Sequence, residues 1–100
     1  MMRLPKVKEY PRRLLIGDSH WELKFKRLII DNGTKCVGLC DPGDQEILIS
    51  QGLTSDDRLK TFIHEVLHAM EIEGDFNLDH KHVYKLEELI FSFLINNRWG

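Results

Sequence analysis

The 100-residue chain predicts a small α+β domain, with a sheet of three or four strands, antiparallel or mixed, followed by two helices. Three observations predict it. Short apolar segments with a period of two fill the first half, strong turn sequences separate them, and two long segments of the second half repeat their apolar residues at spacings of three and four. With no repeat, linker or low-complexity tract, residues 1–100 read as a single domain with one modest core.

Leu14–Ile16 forms a short strand after Pro11. Trp21-Glu22-Leu23-Lys24-Phe25-Lys26 alternates apolar and polar residues as a half-buried strand does, with room to continue to Ile30. Asp31-Asn32-Gly33 then makes a hairpin-type turn into Thr34–Leu39. Asp41-Pro42-Gly43-Asp44 makes a second turn before a strand at Glu46–Ile49, so the strands are expected as a meander.

The first helix spans Asp56 to Glu73, a stretch free of Gly and Pro. Thr54 or Ser55 supplies its N-cap, Asp56 and Asp57 put negative charge in its first turn, and Gly74 is the expected stop. Leu59, Ile63, Val66, Leu67 and Met70 form its apolar face. After a break at Gly74-Asp75-Phe76-Asn77, Asp79 is an acceptable N-cap for a second helix reaching Asn96. Val83, Leu86, Ile90, Phe93 and Leu94 form its core-facing stripe.

Apolar and charged residues make up 42% and 30% of the chain, and no apolar run approaches the ~20 residues that span a bilayer, so no membrane role is expected. The start, Met1 to Lys6, lacks a secretory signal pattern, and Cys36 and Cys40 are the only cysteines. Both features point to a cytoplasmic protein. A net charge of -2 argues against general nucleic-acid binding. Arg3, Lys6, Lys8, Arg12 and Arg13 against Glu9 still make residues 1–13 a basic arm, read as solvated and partly ordered, with a phosphate contact as the alternative.

His64-Glu65-Val66-Leu67-His68 is the segment with chemical content. Two imidazoles four residues apart on a helix sit one turn apart on one face, close enough to reach one tetrahedral ion, and H-E-x-x-H is the zinc-binding form of this spacing. At about 100° per residue, His64, His68 and Glu71 lie nearly opposite the Leu59-Ile63-Val66-Met70 face, which separates them from core histidines. A solvated His/Glu face is the bland alternative.

A catalytic zinc takes three protein ligands and keeps a position open for water. His80 is the preferred third ligand, because a short reversal could return the start of the second helix to the first. Glu87 is the competitor, eighteen residues intervening after His68 and on the apolar side of its helix, where a carboxylate wants a partner. The two lie about 10 Å apart along the helix and can hardly both be ligands. With His80 as ligand, Glu87 becomes a group that orients an imidazole. Glu88, Asp79, Asp75 and His82 are minor alternatives. Glu65 is the expected general base, taking a proton from water and passing it to the leaving amine.

The run Thr61 to Met70, preceded by the strand ending Ile47-Leu48-Ile49-Ser50, resembles the zincin metallopeptidases, and among them the small intracellular and phage-encoded SprT-like and ImmA/IrrE-like groups. The resemblance covers about residues 38–97. It implies Zn²⁺ on His64 and His68, Glu65 as catalytic carboxylate, a peptide or protein substrate, and an edge strand beside the motif helix, with Glu46–Ser50 as the candidate edge. SprT-like proteins use a later histidine, which favours His80, whereas the gluzincin spacing would select Glu87. The metzincin pattern is absent, since Glu71 and Gly74 stand where its glycine and third histidine belong. Two rivals are a non-catalytic zinc- or peptide-binding module and a nucleic-acid-associated protein docking through the basic arm.

Cys36 and Cys40 read as packing residues on one strand face. His20 and His82 read as surface groups, and Trp21, Phe76, Phe91 and Trp99 as core or cap aromatics.

Overall fold

The computed structural model describes residues 4–97. A 3₁₀ turn at Val7–Glu9 leads into β1 (Arg13–Ile16), β2 (Ser19–Lys26), β3 (Ile30–Asp31), β4 (Thr34–Lys35), β5 (Gly38–Asp41), β6 (Glu46–Ser50), α1 (Ser55–Gly74) and α2 (His80–Asn96). The class is α+β: a four-stranded mixed sheet in the order β1-β2-β6-β5, a separate β3–β4 hairpin and two helices.

The expected meander is corrected at the centre of the sheet. β1 pairs with β2 and β5 with β6 antiparallel, but β2 and β6 run parallel, with Leu23 opposite Ile47 and Phe25 opposite Ile49. This register sets the buried faces of the two most apolar strands side by side, which a one-residue slip would undo. Residues 27–45 form the long return that a parallel pair requires. Thr34–Leu39 is consequently not one strand. It divides into β4, which closes the small hairpin, and β5, which joins the main sheet.

Glu46–Ser50 is not the exposed edge. β6 has a partner on each side, and its Ile47 and Ile49 are fully buried; the free edge at this end belongs to β5. The turn chemistry explains both hairpins. Asn32 and Gly33 take positive φ of 52° and 78° between β3 and β4, and Asp41 Oδ1 accepts the Gly43 and Asp44 N–H groups between β5 and β6.

α1 starts on Thr54, whose Oγ1 accepts the Asp57 N–H at 3.2 Å. It ends one residue later than expected. Asp75 takes the left-handed conformation (φ 53°), its N–H and that of Phe76 bond back to the carbonyls of Ile72 and Glu71, and Gly74 stays helical. Gly74 serves space instead, since a Cβ there would lie 2.7 Å from the Phe76 ring. α1 packs on the sheet and on α2, around a core in which Trp21, Ile47, Ile49 and Val83 are wholly enclosed. Met70 and Phe93 stay exposed, because an apolar stripe can be wider than the contact it serves.

From residue 4 the basic arm is part of the domain. Tyr10 is buried edge-to-face against Phe25 and Phe62, with ring centroids at 5.5 and 5.2 Å, while Lys8, Arg12 and Arg13 remain exposed. Arg3 and Trp99 lie outside the described residues. Among the described residues, no helix is long and apolar enough to cross a membrane.

Trp21 Nε1–H donates to Glu73 Oε2 at 2.9 Å, tying β2 to the last turn of α1. Trp21→Phe keeps an aromatic ring but deletes this donor, and is expected to lower the unfolding free energy by about 2 kcal/mol. An unchanged urea midpoint would show that the tie contributes nothing.

Candidate metal centre

His64 and His68 project from one side of α1, and the reversal at residues 75–79 brings His80, the first residue of α2, against them. One nitrogen from each ring can be chosen so that all three lie within 4.8 Å of one another. The His64 and His68 Nε2 atoms are 3.1 Å apart, and His80 Nε2 is 3.4 Å from His68 Nε2. The tight turn at Asp75 makes this convergence possible, since it returns the chain within five residues.

Glu87 does not join the three nitrogens. Its Oε1 lies 2.9 Å from His64 Nδ1, on the far side of that ring. Glu71, to which sequence reasoning gave no role, does the same for His68, with Oε1 2.8 Å from Nδ1. The available signal was its spacing, three residues after His68 on the same stripe. A carboxylate only accepts, so in the neutral rings Nδ1 is the nitrogen that carries the proton and Nε2 the one that presents a lone pair. At 3.1 Å, two such inward lone pairs repel, a repulsion that a shared proton or a cation between them would relieve.

Burial holds the His64 imidazole below its ordinary range, which favours the neutral, ligating form. The N–H of Leu78, together with His68, holds Glu71 below the usual carboxylate range. Tyr84, one turn after His80, packs its ring 4.9 Å from that of His64 and 5.5 Å from that of His80. Asp75, Asp79, His82, Glu88 and His20 are exposed, as is Phe76, which lines a cleft beside Gly74.

Glu65, next to His64 on α1, points toward β5 and is only 8% exposed. Burial, reinforced by the charge of Glu87, pushes its carboxyl up to about 7. Gly38 makes room for it. A Cβ at Gly38 would lie 2.6 Å from Thr61 Cγ2 and 2.9 Å from Glu65 Oε2, a close approach that sequence reading did not reveal.

Two hollows meet at His64 and Glu65. The larger, of about 780 Å³, contains His68 and His80 and has an apolar wall of Leu39, Pro42, Ile72 and Phe76. The smaller, of about 290 Å³, is lined by Val37, Thr61 and Tyr84. Among the described residues no Lys or Arg lines either, whereas Asp31 and Asp75 line the larger.

Cys36 and Cys40 do not share a strand face, because Cys36 precedes β5; both are half-buried on the larger hollow. Burial, with Glu65, Asp41 and Glu71 nearby, pushes the Cys40 thiol up to about 12. Asp41, Asp44 and Glu46 form a second group of close carboxylates. Asp41 is already bonded to backbone N–H groups and Glu46 to Lys24.

Comparison of the chain with family models, curated proteins and solved structures finds no match.

Gly38→Ala is expected to displace Glu65 and to cost about 1–3 kcal/mol of stability, by overpacking. Thr61→Ser, which deletes the nearer methyl, should recover part of that loss; denaturant titration of the single and double variants checks both. Alkylation by iodoacetamide at pH 8 should label Cys36 and leave Cys40 unmodified, since a thiol at about 12 is almost wholly protonated there. Equal labelling by mass spectrometry would contradict that environment.

Proposed function

We propose that the chain is a zinc-dependent metallopeptidase of the zincin type, hydrolysing peptide bonds in an extended peptide or protein segment. The observation that carries this reading is the convergence of three imidazole Nε2 atoms beside a buried carboxylate, at the junction of two hollows. A tetrahedral ion with Zn–N bonds of about 2.05 Å spaces its ligands by about 3.3 Å. The separations of 3.1 Å for His64–His68 and 3.4 Å for His68–His80 suit it, with the three rings each offering a nitrogen within 4.8 Å of the others.

In this reading His64, His68 and His80 hold the metal, with Glu87 and Glu71 behind the first two. Zinc, when bound, lowers the pKa of water at its open position and polarises a carbonyl. Glu65 takes a proton from the attacking water and delivers it to the leaving amine. Its low exposure and raised carboxyl suit both halves of that task near neutral pH. The free edge of β5 passes Glu65 at Gly38, which supports alignment of an extended substrate by strand addition. The carboxylates of Asp31 and Asp75 on the larger hollow, with no Lys or Arg among the described lining residues of either, favour neutral or basic peptides.

The alternative is a non-catalytic zinc- or peptide-binding domain. A structural zinc has four protein ligands. Among the described residues the cluster offers three, which favours the open, catalytic form.

His64→Ala, His68→Ala and His80→Ala should each lose bound zinc, measured after gel filtration. Glu65→Gln should retain zinc while cleavage of a peptide library falls about 10²- to 10⁴-fold. Undiminished turnover by zinc-loaded Glu65→Gln would reject the general base. A fourth protein donor on the zinc would select the non-catalytic reading.

A further inference from the structure

Glu71 takes no part in the proton transfers above, yet each of its two carboxylate oxygens holds a different part of the centre. Oε1 faces His68 Nδ1 at 2.8 Å, and Oε2 accepts the Leu78 N–H at 2.8 Å, two residues before His80. Its own carbonyl accepts the Phe76 N–H at 3.1 Å. One residue thereby grips the reversal between α1 and α2 at its beginning and near its end. The segment between them bears Phe76, a wall of the larger hollow.

We propose that Glu71 is the positioning residue of the centre: one carboxylate oxygen sets the tautomer and ring plane of His68, and the other seats the turn that delivers His80. The inference rests on the metal reading above. The two functions need two acceptors on one rigid group, and only an ionised carboxylate supplies them. A glutamine of the same size has one. If its oxygen faces Leu78, its NH₂ drives the His68 proton onto Nε2, where a metal needs the lone pair. If its oxygen faces His68, its NH₂ meets the Leu78 N–H and the turn is pushed away.

The test is Zn²⁺ affinity by chelator competition, together with the visible absorption of the Co²⁺-loaded chain. Glu71→Gln should weaken Zn²⁺ binding about 10- to 100-fold and change the Co²⁺ spectrum. In a His80→Ala background the same substitution should cost a clearly smaller factor, because the turn no longer delivers a ligand. Parental affinity and spectrum in Glu71→Gln would overturn the proposal, and an equal factor in both backgrounds would overturn the seating of His80.

Should the variants fail to fold, ¹⁵N shifts of the parent chain still test it. Metal-free His68 should carry its proton on Nδ1, and the opposite tautomer overturns the proposal. A parent chain that binds no zinc while His68 holds the expected tautomer would reject the metal centre and leave the positioning contact intact.

Discussion

Two imidazole–carboxylate contacts, His64 with Glu87 and His68 with Glu71, govern the geometry of the site. Histidines one turn apart on a helix can turn their rings in many ways, and spacing alone does not make their nitrogens converge. A carboxylate behind each ring fixes its plane and its proton, and leaves the opposite nitrogen facing inward. The two carboxylates come from different helices, so the centre exists only when α1 and α2 are docked. Val83, wholly buried and one turn before Glu87, fixes that docking. Core packing and site chemistry are therefore one construction.

The face of α1 toward β5 answers a different need. In the proposed peptidase, Glu65 must be enclosed enough to hold a proton near neutrality, yet open to the place where a substrate would lie. Gly38 reconciles these demands, because only a residue without a side chain lets strand and carboxylate approach so closely. β5 is also an edge of the sheet, so the half-buried strand runs past the buried acid with no further strand beside it among the described residues. In the proposed peptidase this juxtaposition sets an extended chain across the two hollows.

The mixed sheet is what puts β5 there. Had the strands followed one another as a meander, Glu46–Ser50 would have faced α1 from the rim with few neighbours. Pairing β2 with β6 in parallel instead encloses Ile47 and Ile49 and moves the shorter β5 outward. Burying the more apolar strand on both sides is the favourable choice, since apolar area removed from water stabilises by about 25 cal/mol per Å². The catalytic edge in the proposed function is thus a by-product of core burial.

Local rules made much of the molecule legible in advance. Thr54 as cap, the helical run carrying His64, Glu65 and His68, Asp79 as the start of α2 and the Asn32-Gly33 turn all depend on contacts within a few residues. Glu87 was readable as a carboxylate in need of a partner, because periodicity put it among apolar neighbours. What stayed hidden depends on groups far apart in the chain. The parallel pairing of β2 with β6, the edge position of β5 and the clearance at Gly38 are of this kind. So is the absorption of residues 4–13 into the domain through Tyr10. Spacing along a sequence encodes which face a residue occupies; which surface meets that face is decided by the competition among all apolar faces for one core.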